Sequence, residues 1–434
     1  MQSVLARLGL TTREQRAWVW YDWANSAYFT TVVTAVFPSF YSAYASADVE
    51  PALATARFSL ITTLGVLITA VAAPVLGAVA DIGASRKRFL LVFMLIGSSA
   101  TLLMPLIGQG DWRLASMLFV IGNIGVSTSL VFYDGLLPSI ARDEEMDKVS
   151  SAGYAFGYIG GGLLLVVNLA WILQPAAFGF PDTVTATKAS FAAAGVWWML
   201  FSIPLFRRVP EPPRKLDPDE RPGSTVAGAF IRLGHTFRDI RRYRHAFLLF
   251  VAMLIYQDGI QTIIRLASVF GTEIGIGQTA QIGAFVMVQF LGVPFAVLFG
   301  ALGARIGTKR AIFISLAVYA LASVLGYFMT SAAHFFLLAA LIATVQGGSQ
   351  ALSRALFARL IPENKSSEFF GFYAVSERFA TALGPLVFAA SVALTGSSRS
   401  AILAVLLFFV AGAYVLSKVN VEEGIRAVRG ERIA

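Results

Sequence analysis

The chain has 434 residues, of which 57% are hydrophobic and only 14% charged, with no cysteine and a formal net charge of +9. Counting its 38 glycines lifts the apolar share to roughly two thirds, against about 45 to 50% in soluble domains, where about a quarter of residues are charged. So few charges cannot cover a soluble globule of this length, which excludes a water-soluble enzyme, and the missing cysteines exclude thiolate chemistry, Cys-ligated metals and a disulfide framework.

Apolar stretches of about 20 residues, the length that crosses a bilayer as a helix, recur twelve times. They lie at residues 17–44, 57–80, 89–108, 113–140, 150–174 and 188–206, and then at 246–270, 278–303, 311–330, 334–358, 368–395 and 399–417. The first is too long for a signal h-region and follows Arg13, Glu14 and Arg16, so a retained span is expected rather than a cleaved signal. The polar break from Arg207 to His245 opens with RRVPEPPRKLDPDERPGS, too rich in proline and charge to pack a core. Its second part, 226–243, sets Phe230, Leu233, Phe237 and Ile240 at helical spacing among basic residues, the pattern of a surface amphipathic helix. The expected layout is a six-helix bundle at 1–206, a cytoplasmic linker at 207–245, a second six-helix bundle at 246–418 and a cytoplasmic tail at 419–434. An all-α polytopic protein built of two such halves is the architecture of a secondary transporter, with the solute path between them.

With the N-terminus inside, 28 of the 34 Lys and Arg residues fall on cytoplasmic segments or, like Arg354, close to the inner end of a span, and four (Arg57, Arg113, Lys188 and Arg399) on outer loops, while Arg265 and Arg378 lie deep within spans. By this bias both termini are expected in the cytoplasm, and the expected location is a bacterial inner membrane. The bias also argues against nucleic acid as the partner of the net charge, because the basic residues are spread over short loops.

One loop motif occurs twice. After the second span the chain reads GAVADIGASRKR (77–88), and after the eighth GALGARIGTKR (300–310). Both resemble the signature loop of the major facilitator superfamily: glycine, three residues, aspartate, then a glycine and a basic cluster. The first copy keeps Asp81, Arg86 and Lys87; the second keeps Gly307, Lys309 and Arg310 but has Ala304 in place of the aspartate. Gly77 and Gly300 permit close helix approach, and the carboxylate with its bases forms a candidate charge latch at the cytoplasmic face; the alternative is that these charges only set topology. YDWANSAYF (21–29), FYDGLLPSIA (132–141), SAGYAFGYIGGG (151–162), GGSQALSRALFARLIP (347–362) and EFFGFYAVSERF (368–379) further resemble the UMF1 or Atg22-like branch of that superfamily. The resemblance implies the twelve-helix major facilitator fold. Since fungal members of the branch are described as vacuolar amino-acid effluxers, it also implies an amino-acid-like solute.

Ionisable groups inside spans are expensive, so each is a functional candidate. In the seventh span Asp258, Gln261 and Arg265 share one helical face near mid-membrane. They form either a polar stripe with Asp258 as ammonium ligand or proton carrier, or a self-neutralising pair. Glu377 and Arg378 in the eleventh span point about 100° apart. Arg378 can hold a carboxylate by its fork of donors and Glu377 can carry a proton; an interhelical salt bridge is the alternative. Gln346 and Gln350 in the tenth span offer hydrogen bonds to a polar solute or to neighbouring helices, with Arg354 deeper as a gate or snorkelling charge.

Asn25 is a further candidate ligand, whereas Asp22 and Asp134 lie close enough to the cytoplasmic end to join Asp81 in an inner gate, Asp134 with Tyr133. Tyr154 and Tyr158 are candidate cavity residues or core aromatics, and the glycines beside them, Gly153 to Gly162, are expected to be a helix-packing surface. His235, His245 and His334 form no metal-ligand cluster, and no nucleophile stands beside a base, so neither enzyme activity nor a cofactor is expected. The expected function is proton-coupled alternating access for a small polar solute by a monomer in the lipid bilayer, with Asp258 or Glu377 coupling the proton. Export of amphipathic drugs or lipids, and a non-transporting receptor or scaffold, are the alternatives.

Overall fold

The fold was analysed in a computed structural model that describes residues 5, 6, 8–213, 243–273, 275–379, 387, 390, 391, 393, 394 and 398–429. Residues 226–242 of the expected amphipathic segment and most of the second part of the eleventh stretch lie outside the described residues, as do the side chains of Arg265, Glu377 and Arg378.

The chain is helical throughout these residues. The first helix, α1 (Arg13–Tyr28), opens on a capping box in which Thr12 accepts from the Gln15 amide while the Gln15 side chain accepts from the Thr12 N–H. It runs on through wider π-helical turns at Phe29–Ala35 and Tyr41–Ala45, with Pro38 in the short helix between them. Next come α2 (Pro51–Ile82), α3 (Arg86–Leu103), α4 (Trp112–Gly135), α5 (Met146–Leu173) and α6 (Thr183–Arg208). The second half holds α7 (Arg244–Glu273), α8 (Gln278–Ile306), α9 (Thr308–Tyr327), α10 (Ala332–Arg359), α11 (Ser366–Phe379) and α12 (Leu406–Ser417), the last preceded by the short helix Ser398–Ala404. Asp111, Asp182 and Ser331 cap α4, α6 and α10. Among the described residues nine helices are long and apolar enough to cross a membrane.

Polarity is distributed as a bilayer demands. Leu60, Val71 and Leu173 are 70 to 76% exposed on the rim, while Asp22, Asp134, Asp147, Asp258 and Arg354 are buried among the helices. Glycine sets how closely the helices approach. A Cβ at Gly160 would stand 2.5 Å from the Trp23 carbonyl, and one at Gly157 2.6 Å from Ser26 Oγ, so this run is the surface on which α5 meets α1. Between the halves, α5 packs on α8 and α10, and α11 on α2 and α4. Gly300 lets α8 close on Ser151, and Gly371 lets α11 close on Pro74 of α2. One element goes unforeseen in the sequence: α13 (Val421–Arg429) bends about 55° from the preceding helix. There Gly424 lies over Leu360 and His245, and Arg429 pairs with Asp143 of the first half.

Candidate functional site

The start of α1 and the end of α13 lie at one end of the bundle, which we call the terminus-bearing end, and there the halves are locked together by buried charge at three places. In the first, the carboxylate of Asp81 at the end of α2 accepts from Arg86 Nε at 2.6 Å and from the backbone N–H groups of Ser367 (3.3 Å) and Glu368 (2.9 Å) in the first turn of α11. Those amides have no partner within their own helix, and the dipole there favours an anion. Arg86 also donates from Nη1 to the Gly135 carbonyl (3.2 Å) and, across the seam, from Nη2 to the Glu363 carbonyl (2.7 Å). Gly77 lies under the Ser367 backbone, where a Cβ would overlap it.

The second lock surrounds Arg354 on α10, only 2% exposed. Its Nη1 donates to Asp134 Oδ1 of α4 at 3.0 Å, its Nη2 to Asp22 Oδ2 of α1 at 3.3 Å, and Nε and Nη2 to the hydroxyl and carbonyl of Ser150 on α5, both at 2.9 Å. Three rings enclose the guanidinium, with centroids 4.8 Å (Trp18), 5.7 Å (Tyr133) and 4.6 Å (Tyr154) from its central carbon. Trp18 and Tyr133 stack at 4.3 Å, Trp18 Nε1 donates to the Tyr133 carbonyl, and the Tyr133 hydroxyl donates to Asp22 at 2.7 Å. This lock is therefore assembled from four helices whose contributing residues are far apart in the chain.

The third lock joins Asp147, in the first turn of α5, to Thr308 Oγ1 (2.8 Å) and Arg359 Nη2 (2.8 Å) at the start of α9 and the end of α10. Arg359 also donates to Thr308 at 2.6 Å. Together with Arg429 and Asp143, the structure describes four inter-half ion pairs, and in each the acid belongs to the first half and the base to the second.

Away from this end, a cavity of about 170 Å³ lies in the second half among α7, α8, α9, α10 and the start of the last span. Its lining is mostly apolar, with Gln281, Gln289, Ser323 and Gln346 as polar points, and Tyr158 reaches it from the first half. Tyr158 enters between two glycines: a Cβ would meet its ring at 3.0 Å from Gly292 and at 2.5 Å from Gly347.

From residue 10 to residue 429 the chain matches the family described as vacuole effluxer Atg22 like. It belongs to that family. Among its relatives, the uncharacterized MFS-type transporter YxiO of Bacillus subtilis (strain 168) is 36% identical over 95% of this chain and 96% of its own length. Autophagy-related protein 22 of Yarrowia lipolytica is 23% identical over 85% of this chain and 76% of its own. In solved structures the fold is that of the proton:xylose symporter XylE (TM-score 0.67, 15% identity, 96% of each chain). It is also that of a bacterial homologue of the iron transporter ferroportin in its outward-facing state (TM-score 0.66, 15% identity, 94% of this chain and 99% of that one). The protein is thus a multi-pass membrane transporter of the major facilitator superfamily and not an enzyme.

In this Atg22-like chain the residues singled out from sequence separate into groups. Asp22, Asp81, Asp134 and Arg86 meet the opposite half at the terminus-bearing end, as does Tyr154, a cavity or core candidate by sequence, whose ring lies over Arg354. The other basic residues of the repeated loop have partners within their own half. Lys87 Nζ donates to the Phe206 carbonyl, and its backbone N–H to the Glu211 carboxylate, whose pKa burial pushes up. Lys309 Nζ donates to the Ser417 and Val419 carbonyls beyond α12, and Arg310 is exposed.

Gln346 and Tyr158 share the second-half cavity. Asn25 turns its amide back to the Tyr21 carbonyl at 2.6 Å. Asp258 is fully buried on α7, next to a glycine that receives Phe408 and Phe409, while Gln261 and Gln350 are half-buried; none of these three lines that cavity. Sequence reasoning passed over Asp147, Ser150, Thr308 and Arg359. The signal was the aspartate missing at Ala304, which calls for an acid on whatever helix faces that loop.

Proposed function

We propose that this transporter moves a small polar solute, an amino acid first among candidates, by proton-coupled alternating access as a monomer in a bacterial inner membrane with both termini cytoplasmic. The observation that carries the reading is the make-up of the seam. At the terminus-bearing end the halves are joined by ion pairs whose acids belong to the first half and whose bases belong to the second, a set of contacts that can part as a unit while each half keeps its packing. The bias of Lys and Arg towards short loops on the same side makes that end the inner one. Closed inside, the molecule then corresponds to an outward-facing state, the state named for the ferroportin homologue. By the sequence reading, Asp258 and Arg265 of the seventh span and Glu377 and Arg378 of the eleventh are expected to supply opposite charges near mid-membrane, with Gln261 beside the first pair. They suit a zwitterion, with either carboxylate as the proton carrier.

The test is uptake into proteoliposomes under an imposed pH gradient, over an amino-acid panel, by the wild type, Asp258→Asn and Glu377→Gln. Amino-acid movement driven by the gradient in the wild type and lost in at least one variant is the expected result. Equal movement by all three proteins, or by none, overturns the proton-coupled amino-acid mechanism. The mostly apolar second-half cavity favours a second reading, export of amphipathic drugs or lipids. It takes precedence if such compounds, and not amino acids, are moved in the same vesicles.

A further inference from the structure

The Arg354 lock is unequal in construction, because among the described residues each side chain that hydrogen-bonds to the guanidinium or lies over it with a ring belongs to the first half. Trp18 and Asp22 come from α1, Tyr133 and Asp134 from α4, and Ser150 and Tyr154 from α5, while the second half contributes only the side chain that fills the space. The surroundings are held in place without it. Trp18 is fixed by its stack on Tyr133 and its indole hydrogen bond to that residue's carbonyl, and Asp22 by the Tyr133 hydroxyl. Tyr21 braces Tyr133 from behind, with ring centroids 4.9 Å apart, and its own hydroxyl is held by Ser129 at 2.7 Å. Gly153 makes the room: a Cβ there would overlap Asp22 Oδ2 and come within 3.0 Å of Arg354 Nη2. Three ring faces and two carboxylates around one planar cation are the chemistry by which proteins recognise ammonium and guanidinium groups.

We propose that this cup of the first half is a binding site for an organic cation, a guanidinium or ammonium group, which Arg354 occupies as an internal stand-in whenever the terminus-bearing end is closed. When the halves part there, Arg354 leaves with α10 and the cup is exposed, so a cationic group entering from that side competes with the protein's own arginine. The solute, or one end of it, is therefore a cation, and its binding favours the open end because it removes the partner that closure needs. This rests on the alternating-access reading above.

The probe is methylguanidinium, with urea as its planar neutral counterpart and sodium chloride at equal ionic strength to control for screening of the seam. The chain has no cysteine, so Ser367→Cys, at a fully buried position beneath the first lock, gives a single thiol whose maleimide labelling rate reports opening. On full-length protein in detergent, methylguanidinium is expected to raise that rate saturably by about tenfold, the scale of a desolvated cation held by ring faces. Urea and the salt control are expected to leave it unchanged, and Trp18→Leu to abolish the response. In Arg354→Ala, where the cup is vacated, methylguanidinium is expected to raise the melting temperature saturably. The Ser367→Cys measurement keeps Arg354 and decides the matter even if that variant does not fold. A response equalled by sodium chloride, or retained in Trp18→Leu, overturns the site. If Asp81→Asn speeds labelling but methylguanidinium does not, only the cup fails; if nothing speeds labelling, the end never opens and the transport reading beneath it fails as well.

Discussion

The loop after α2 and the loop after α8 are two copies of one motif that solve the same problem in different ways. In the first the acid sits at the loop: Asp81 accepts from the first-turn amides of α11 and is neutralised by Arg86. In the second, Ala304 holds the corresponding position and is exposed, and the acid comes from across the seam, where Asp147 of α5 meets Thr308 and Arg359. The motif position is not what the two locks share. They share the half that supplies the negative charge, and the Arg354 and Arg429 pairs follow the same rule. Gly303 lies against the Asp147 carboxylate, whereas Ala304, one residue on and turned about 100° away, is exposed, so an acid at the motif position would not stand in for Asp147. A one-sided division of charge keeps the two surfaces complementary when they meet and self-repelling when they part.

The sharpest way to break this account is to remove the base that serves two acids. Arg354→Ala leaves Asp22 and Asp134 buried without their guanidinium, and breaking a buried pair from one side costs about 3–5 kcal/mol. If the closed state bears most of that cost, the balance between closed and open ends shifts by roughly 100-fold or more. The Ser367→Cys labelling rate should rise accordingly, and a rate unchanged from wild type would show that the seam is not what holds this end shut. Asp81→Asn comes next. It keeps the hydrogen bonds sterically possible but removes the charge that faces the α11 amides and Arg86, a loss of about 1–2 kcal/mol, or roughly tenfold in labelling.

Asp147→Asn and Arg359→Ala test the second copy. Each alone should open the end less than Arg354→Ala does, because only one acid is involved. The double variant should open it by clearly less than the product of the single effects, since residues in one ion pair are coupled by about 0.5–3 kcal/mol. Adding Ala304→Asp to Asp147→Asn sharpens the comparison further. An acid at 304 belongs to the half that already carries the bases, and the position is exposed, so closure should not recover. Recovery would mean that the motif position, and not the half, is what matters.

The fold was legible because bilayer thickness sets a length that apolar runs display openly. The helices observed at 86–103, 112–135 and 332–359 differ from the expected stretches by a few residues at most ends, since their limits coincide with charged or turn-forming residues. The π-helical extension of α1 and the bent α13 were not legible, because neither disturbs an apolar run of the expected length. Of the site, Asp81 and Arg86 could be read from the repeated loop, and the shallow depth of Asp22, Asp134 and Arg354 in their spans set them towards the same end as that loop. That these three meet could not be read, as they come from α1, α4 and α10 and only packing brings them together. Arg359 was counted among the topology-setting bases, yet its guanidinium is committed to Asp147; the loop-charge rule records where a base lies in the chain, not what it faces.

The smallest effect is expected at the outermost pair. Arg429, on α13, meets Asp143 of the loop before α5, and its side chain is 53% exposed. Pairs so accessible to water are screened and contribute little, so Arg429→Ala should change the labelling rate by no more than about twofold, and half-molar salt should erase even that difference. The pair obeys the same charge division as the buried ones, which makes it the test of whether the rule acts through number of pairs or through burial. An effect as large as that of Asp81→Asn would mean that α13 reaches beyond this pair. It would then be acting through Gly424, which packs it onto Leu360 at the end of α10 and onto His245 at the start of α7, with Glu423 3.2 Å from the same imidazole. In that event the C-terminal helix would be a fourth lock, held by packing on its own half and by charge across the seam.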